Sequence, residues 1–263
     1  MANSFLGEVL IQLLEKQIVH KDMKLLVMCG GVKDANVLRD LGFRFCTISN
    51  VDTRMTGNEF SPFEWSFQDA ENLTFKNKEF DFGIVHEGLH HCYSPHRALL
   101  ELYRVTKDGI MLFEPCDNVL SKFGVKLGFG QDFEHAAVFY NDCEFGGVQN
   151  TKFPNFIYRW TEEEVRKTIQ TCDPYVKTDI RFFYKMVLPW KQIEGRKNPW
   201  VKWIVKGGLP ALKIFTFLFP RQCNSICAVV MHSPIPETLH PWLQLDKEEI
   251  CLNQDWLQKR YKA

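Results

Sequence analysis

Histidine and carboxylate residues are concentrated in one short run, His86-Glu87-Gly88-Leu89-His90-His91. Imidazole and carboxylate groups can accept a proton near neutral pH when their surroundings tune them, so they are the usual general bases of enzymes. We therefore predict His86, Glu87 and His90 as catalytic residues. His91 is assigned more readily to a structural role, and His135 and Tyr140 are further candidates from an aromatic segment later in the chain.

Further residues suited to ligand binding come directly after the predicted strands. Gly30-Gly31 follows an apolar run at 24–28, where bare backbone allows a ligand to approach closely. Asp52 follows a strand at 45–49, where a carboxylate can accept both hydroxyls of a ribose. Asp69-Ala70 follows a weaker strand at 63–67, where the Asp69 carboxylate could accept from an adenine amino group. The carboxyl ends of parallel strands form one edge of a sheet, so these residues should meet at one ligand site.

The elements that must position these residues alternate between strand and helix. Helical spacing is found at 4–19, 34–41 and 95–103, and further apolar strands are predicted at 82–85 and 110–113. This alternation predicts an α/β fold with a parallel sheet over residues 20–115. A capping box at Thr161 and Glu164 begins another helix, and two late strands at 180–188 and 226–231 suit an antiparallel pair at the sheet edge.

Several of these stretches together resemble a known family. They are Asp69-Ala70-Glu71-Asn72-Leu73, Phe80-Asp81 with the run to His91, Ser94-Pro95, Arg104-Val105 and Phe113-Glu114-Pro115. This pattern resembles class I S-adenosylmethionine-dependent methyltransferases, with a domain like methyltransferase type 11. The resemblance implies a Rossmann-like, seven-stranded, mostly parallel sheet with an antiparallel final hairpin. Residues 1–263 would form a single domain with a cofactor-binding core (20–115), an acceptor lid (116–160) and an insertion (189–224).

The resemblance also implies the cofactor, S-adenosylmethionine, and the residues that hold it. The loop of Cys29, Gly30 and Gly31 would face its methionine part, Asp52 its ribose, Asp69 and Ala70 its adenine, and His86 its sulfonium. The chain departs from the family at the first strand, where Val27 stands in place of an acidic residue. Cys29 and Lys33 also replace two glycines of the usual G-x-G-x-G loop. Asp34 is a candidate to take the role of the missing acidic residue. A catalytically weakened methyltransferase-like binding or assembly protein is therefore the alternative, whereas a dinucleotide-dependent oxidoreductase lacks its glycine fingerprint.

The charge balance, the cysteines and the apolar runs of the chain indicate which classes of partner and location to expect. The 32 basic and 32 acidic residues balance, so nothing in the overall charge favours nucleic acid. The nine cysteines form no CxxC pair, which favours reduced thiols in the cytoplasm, and no metal site is predicted. No apolar run is long enough to span a membrane.

The insertion carries a different composition from the rest of the chain. From Lys185 to Arg221, eight basic residues face the single acid Glu194, and tryptophans and phenylalanines lie between them. That mixture suits a helix at the surface of an anionic membrane, through residues 199–219, but core packing and a homodimer contact remain open. Gly207-Gly208 and Pro210 are expected to divide the helix in two. The acceptor would be a small molecule, a saccharide or a lipid-linked compound.

Overall fold

Seven strands form one sheet in the computed structural model, in the order β3-β2-β1-β4-β5-β7-β6. The structure describes residues 4–195, 199–233, 239–247 and 249–262, without the side chains of 191, 192, 199 and 201. The strands are β1 Lys24–Met28, β2 Phe45–Asn50, β3 Glu64–Phe67, β4 Phe80–His86, β5 Thr106–Pro115, β6 Asp179–Lys185 and β7 Ser225–Met231.

The direction of the strands confirms the predicted class of sheet. The pairs β1–β2, β1–β4, β2–β3 and β4–β5 are all parallel. Strand β7 runs antiparallel to both β5 and β6, so β6 points in the same direction as β5. The carboxyl ends of β1, β2, β4, β5 and β6 consequently share one edge, and the connection from β6 to β7 begins and ends there.

Helices cover both faces of the sheet. They are α1 Phe5–Glu15, α2 Val32–Leu41, α3 Pro95–Val105, α4 Val119–Lys126, α5 His135–Phe139, α6 Glu162–Cys172, α7 Trp190–Glu194, α8 Pro199–Leu218 and α9 Gln254–Tyr261. Leu6, Leu10 and Leu38 of α1 and α2 pack in one apolar cluster, whereas Leu102 and Ile169 of α3 and α6 pack in the other. Burial on both faces explains why the central strands read as continuous apolar runs.

The helix ends show the signals expected from the sequence. Thr161 and Glu164 form the predicted capping box at the start of α6, with Thr161 Oγ1 accepting from Glu164 N at 3.1 Å. Gly42 ends α2 in the left-handed region, at φ +81°, where its N–H donates to the carbonyl of Arg39. Glycine suits this position because a Cβ would be strained at such a φ.

Two elements differ from the sequence-based expectation. Helix α8 continues through Gly207-Gly208 and Pro210 as one element, so the expected division into two pieces is wrong. A proline in a helix removes one backbone hydrogen bond and bends the axis, but the bonds on either side remain. The chain after Ser233, expected as loop and helix, also contains an antiparallel pair of strands, β8 Leu243–Asp246 and β9 Glu249–Leu252, before α9. Arg196 and Lys197 of the insertion lie outside the described residues.

Within the described part of the chain, no helix is both long enough and apolar enough to cross a membrane.

Candidate active site

A cavity of about 330 Å³ opens at the carboxyl ends of β1, β2 and β4. Its size lies at the lower end of the range usual for small-molecule sites. Residues of the lid segment, 116–160, form its other wall. The lining residues are Cys29, Gly30, Gly31, Asn50, Val51, Asp52, Met55, Gln68, Ala70, Glu87, Gly88, His91, Cys92, Ala137, Asn141, Gly146, Gly147, Gln149 and Asn150. Six predicted site residues are therefore together on one cavity: Cys29, Gly30, Gly31, Asp52, Ala70 and Glu87.

The turns after β1 and β4 pack directly against each other at the bottom of this cavity. Cys29 and Glu87 both have positive φ angles, +55° and +53°, which residues other than glycine rarely adopt. A Cβ on Gly88 would lie 2.4 Å from the Cβ of Cys29, so glycine is required at this contact. Backbone strain of this kind is typical of functional sites that the surrounding fold holds in place.

Asp52 lies on the cavity wall, but its carboxylate already has a partner. Arg54 contacts both of its oxygens, at 2.9 Å from Nε to Oδ1 and 2.6 Å from Nη2 to Oδ2. The hydrogen bonds from Arg54 hold the pKa of Asp52 below its usual value. The same guanidinium lies 4.1 Å from the ring centre of Phe145 in the lid segment. Binding a ribose at Asp52, which stays a prediction, would therefore require the hydroxyls to share the carboxylate with Arg54 or displace it.

Asp69 and His86 are not among the residues that line the cavity. The Asp69 carboxylate accepts from Glu71 N at 2.9 Å and so caps its own turn. His86 Nδ1 lies 2.7 Å from Asp34 Oδ1, and Asp34 Oδ2 accepts from Gly31 N at 2.9 Å. Burial alone would lower the pKa of His86, but the bond and charge of Asp34 raise it above its usual value. His86 thus contacts Asp34, and Asp34 holds the backbone of the glycine loop at Gly31.

His90 is buried behind the cavity between two carboxylates. Its Nδ1 lies 2.6 Å from Glu114 Oε2, and its Nε2 lies 3.3 Å from Glu134 Oε2. Burial would lower its pKa, but the charges of Glu114 and Glu134 raise it to about 10. The fully buried Glu114 also accepts from the backbone N–H groups of Gly88 and Leu89, at 2.9 and 2.7 Å. Of the three predicted catalytic residues, Glu87 alone lines the cavity, and the catalytic role of all three stays a prediction.

Sequence reasoning did not identify several residues that line the cavity. Asn50 donates from Nδ2 to the carbonyl of Gly30 at 2.7 Å and accepts from Asp52 N at 2.9 Å, so it orders both loops. Gln68 is buried at the end of β3. Asn50 ends β2 and Gln68 directly follows β3, so the signal that found Asp52 and Asp69 could have found them. The lining residues of the lid segment, Asn141, Gly146, Gly147, Gln149 and Asn150, carry no comparable local signal.

The residues on this cavity fit S-adenosylmethionine. Asp52, Gln68 and Ala70 present the carboxylate, amide and small apolar surface that an adenosine group needs. A Cβ on Gly31 would meet only Asp34, at 3.9 Å, so bare backbone is open on this side of the loop. Val27 is completely buried, so the acid usual in the family has no equivalent at that position. Glu87 lines the same cavity, in the turn that packs against Cys29.

Comparison with known proteins agrees with this fold. Residues 25–113 match the family model described as a methyltransferase domain. The magnesium protoporphyrin IX methyltransferase of Synechocystis PCC 6803, solved with bound SAH, aligns with 13% identity and a TM-score of 0.51, covering 86% of this chain and 81% of that one. A SAM-dependent methyltransferase from Archaeoglobus fulgidus aligns with 11% identity and a TM-score of 0.49, covering 86% and 93%. No curated protein matches the chain.

The sheet order and the matched segment agree on the type of fold. The fold is the Rossmann-like fold of class I methyltransferases, with β7 inserted antiparallel between β5 and β6. Residues 25–113, about a third of the chain, are similar to the methyltransferase-domain model.

Proposed function

We propose that this chain is an S-adenosylmethionine-dependent methyltransferase that acts on a lipid-linked acceptor at an anionic membrane surface, with α8 as the membrane contact. The observation that carries the proposal is the exposure of the apolar side chains of α8. This helix lies in the insertion that leaves the sheet at the edge where the cavity opens. Trp203, Ile204 and Phe217 are 69%, 72% and 84% exposed. Lys202, Lys206 and Lys213 on the same helix supply positive charge, which attracts anionic lipid headgroups.

The position of α8 relative to the sheet supports this reading. The insertion leaves β6 and enters β7 at the edge that carries the carboxyl ends of the parallel strands, where the cavity opens. Helix α8 packs against α7 and the short turn Pro220–Gln222. Helix α4 of the lid segment contacts the same turn and buries none of its residues, with Val119 75% and Phe123 55% exposed. Helices α4 and α8, which both expose apolar side chains, therefore contact the same turn at the edge of the sheet where the cavity opens.

The reaction requires little covalent chemistry from the protein. When bound, the cofactor supplies an electrophilic methyl group. The cavity residues hold and orient the reactants, and correct positioning accounts for much of the rate enhancement in such transfers. We assign binding of the cofactor to Cys29, Gly30, Gly31, Asp52 and Ala70. We assign the general base for an oxygen acceptor to Glu87, because it is an acidic residue that lines the cavity.

Glu87→Gln tests the assignment of the base. If Glu87 accepts the acceptor's proton, the variant keeps its affinity for S-adenosylmethionine and loses kcat, and the acidic limb of its pH–rate profile disappears. A weakened affinity for the cofactor with little change in kcat would instead place Glu87 against the cofactor, and the assignment as base would fail.

The membrane contact is tested by flotation with liposomes of phosphatidylcholine and phosphatidylglycerol at low and high salt. The double variant Trp203→Glu/Phe217→Glu should remain in the aqueous fraction where the unmodified chain floats. Phe45→Glu is the matched control, because Phe45 is exposed at the amino end of β2, on the opposite edge of the sheet. Equal flotation of all three proteins would contradict the proposal. A concentration-dependent dimer that the double variant abolishes, without flotation, would assign α8 to a homodimer contact.

The acceptor class and the alternative of a weakened enzyme are tested together. Calorimetric titration measures binding of S-adenosylmethionine, and labelled cofactor then reports methyl transfer into organic-phase and aqueous fractions of a cell extract. Label in the organic phase supports a lipid-linked acceptor. Label in the aqueous phase alone supports a small molecule or saccharide. Cofactor binding without transfer to either fraction supports a binding or assembly protein.

A further inference from the structure

Three side chains with metal-binding atoms meet at the junction between the lid segment and the sheet. His90 and His91 belong to the short turn Leu89–His91 after β4, and Glu134 precedes α5 in the lid segment. One ligand atom from each lies within 4.8 Å of the other two. No function assigned above depends on this arrangement as a group.

We propose that His90, His91 and Glu134 bind a divalent transition-metal ion, of the type of Zn²⁺. Two imidazoles and one carboxylate form a common ligand set for such ions, and imidazole disfavours Mg²⁺ and Ca²⁺. Glu134 Oε2 lies 3.3 Å from His90 Nε2 and 3.4 Å from His91 Nε2. With metal–ligand bonds of about 2.0–2.1 Å, neighbouring ligand atoms of a tetrahedral site are about 3.3–3.4 Å apart. Both separations match that geometry.

The other nitrogen of each ring has a partner of the kind found in metal sites. His90 Nδ1 lies 2.6 Å from Glu114 Oε2, and His91 Nδ1 lies 3.3 Å from the carbonyl of Gly147. A proton on each Nδ1 satisfies these contacts, and the ion takes the Nε2 position of each ring, releasing to solvent the proton that His90 Nε2 carries without the ion. Metal-binding histidines almost always donate their second N–H to a carboxylate or a backbone carbonyl in this way, which sets the tautomer and the ring orientation.

A neighbouring buried amide supplies a second observation. Asn155 is buried, and its Nδ2 donates to the carbonyl of His90 at 3.0 Å and to Glu134 Oε2 at 3.4 Å. Its Oδ1 has no hydrogen-bond partner among the described residues. A buried acceptor without a partner costs free energy. Water bound to an ion held by His90 and Glu134 is a donor of the type that this oxygen lacks.

The ion would link two parts of the fold that carry the cavity. Glu114 holds His90 against the sheet, whereas Glu134 belongs to the lid segment. Binding of the ion would therefore order the lid segment over the cofactor cavity, of which His91 and Gly147 are lining residues. Three protein ligands leave a position for water or a substrate oxygen, as in zinc enzymes.

The test is equilibrium dialysis of the full chain against Co²⁺ alone, with the cysteines kept reduced by a phosphine, followed by absorption spectroscopy. We expect one ion per chain, visible d–d bands, and no near-ultraviolet charge-transfer band from thiolate. Glu134→Gln and His91→Asn should each weaken binding by more than about tenfold. Both replaced side chains are partly exposed, which makes these variants better choices than a change at the buried His90.

Two control variants should bind Co²⁺ as the unmodified chain does. Glu144→Gln changes an exposed acid of the lid segment, and His20→Gln changes an exposed histidine far from the cluster. Circular dichroism and thermal unfolding of each apo variant confirm that it is folded. Amide hydrogen exchange gives a readout independent of activity, since the ion should slow exchange over 134–150. Absence of binding, a thiolate band, or equal affinity of Glu134→Gln and the unmodified chain would overturn the proposal.

Discussion

The carboxylate of Asp52, which is a predicted ligand-binding group, is already bound by another side chain of the protein. The carboxylate is engaged by Arg54, which in turn packs on Phe145 of the lid segment. A charged carboxylate that accepts hydrogen bonds contributes about 1.5–3 kcal/mol to an interaction. Exchange of the guanidinium for ribose hydroxyls would couple cofactor binding to the position of the lid.

Asp52→Ala should therefore weaken binding of S-adenosylmethionine by about 10- to 100-fold, because each factor of ten corresponds to about 1.4 kcal/mol. Isothermal titration calorimetry measures the change. Asp22→Ala is the matched control, since Asp22 forms an exposed ion pair with Arg44 away from the cavity. An affinity equal to that of the control would show that Asp52 does not hold the ribose.

His232 should make the stability of the fold depend on pH. Its ring stacks on Tyr103 at 3.9 Å, and burial together with the charge of Lys78 lowers its pKa from 6.5 to about 4. The folded state therefore favours the neutral ring, whereas the unfolded chain takes up a proton below about pH 6.5. The contribution of His232 to stability is complete above that pH and is lost between about 6.5 and 4, by up to about 1.4 kcal/mol per pH unit.

Urea unfolding at a series of pH values checks this expectation against His232→Phe. The variant keeps an aromatic ring but cannot titrate, so its free energy of unfolding should fall less steeply over the same range. Parallel pH dependences of the two proteins would contradict the assignment.

The turn after β4 shows how one side chain can position an element. Glu114, near the end of β5, accepts hydrogen bonds from Gly88 N, Leu89 N and His90 Nδ1. The turn carrying Glu87, His90 and His91 is thus fixed to the neighbouring strand through one buried carboxylate. Loss of one partner from a buried pair is costly because the remaining polar groups stay desolvated.

Glu114→Ala should lower the free energy of unfolding by about 3–5 kcal/mol, the usual cost of leaving a buried pair incomplete. Chemical denaturation at neutral pH provides the measurement. Glu163→Ala, which removes an exposed acid from the first turn of α6, should change stability by less than about 0.5 kcal/mol. A similar small change for both variants would mean that the turn does not depend on Glu114.

At the scale of the whole molecule, the cofactor cavity lies between two parts of the chain, the sheet edge and the lid segment. Polar contacts join them, including Gln149 Nε2 to Glu71 Oε2 at 2.6 Å. A ligand that binds only the folded state stabilises it in proportion to the logarithm of its concentration. A ligand enclosed by both parts should also slow the opening of the lid.

Saturating S-adenosylmethionine, at about 100 times its Kd, should therefore stabilise the fold by about 2.7 kcal/mol and raise Tm by several degrees. Differential scanning fluorimetry and amide hydrogen exchange measure the two effects. Protection should extend over residues 141–150 as well as 29–31. A rise in Tm with protection confined to the sheet would show that the lid segment takes no part in cofactor binding.

Much of the fold could be predicted because local patterns and strand order carry it. The apolar runs predicted β1, β2 and β4, and the resemblance to class I methyltransferases implied the sheet that is observed. The hairpin of β8 and β9 was not predicted, because its short strands are largely exposed and lack a clear alternation. The continuity of α8 was not predicted, because two glycines and a proline in succession usually indicate a break. The helical turns on either side of them are enough to keep the helix in one piece.

The sequence by itself determined which residues stand at the ends of strands, since that depends only on spacing along the chain. It placed Asp52, Ala70 and the Cys29–Gly31 loop at one edge, and these residues do line one cavity. Only the tertiary structure decided their partners. Arg54 occupies Asp52, Asp34 binds His86, and Glu134 reaches His90 and His91 from a distant segment. Arg54 stands only two residues from Asp52, but the other contacts join residues far apart in sequence, and no local pattern encodes how those segments pack.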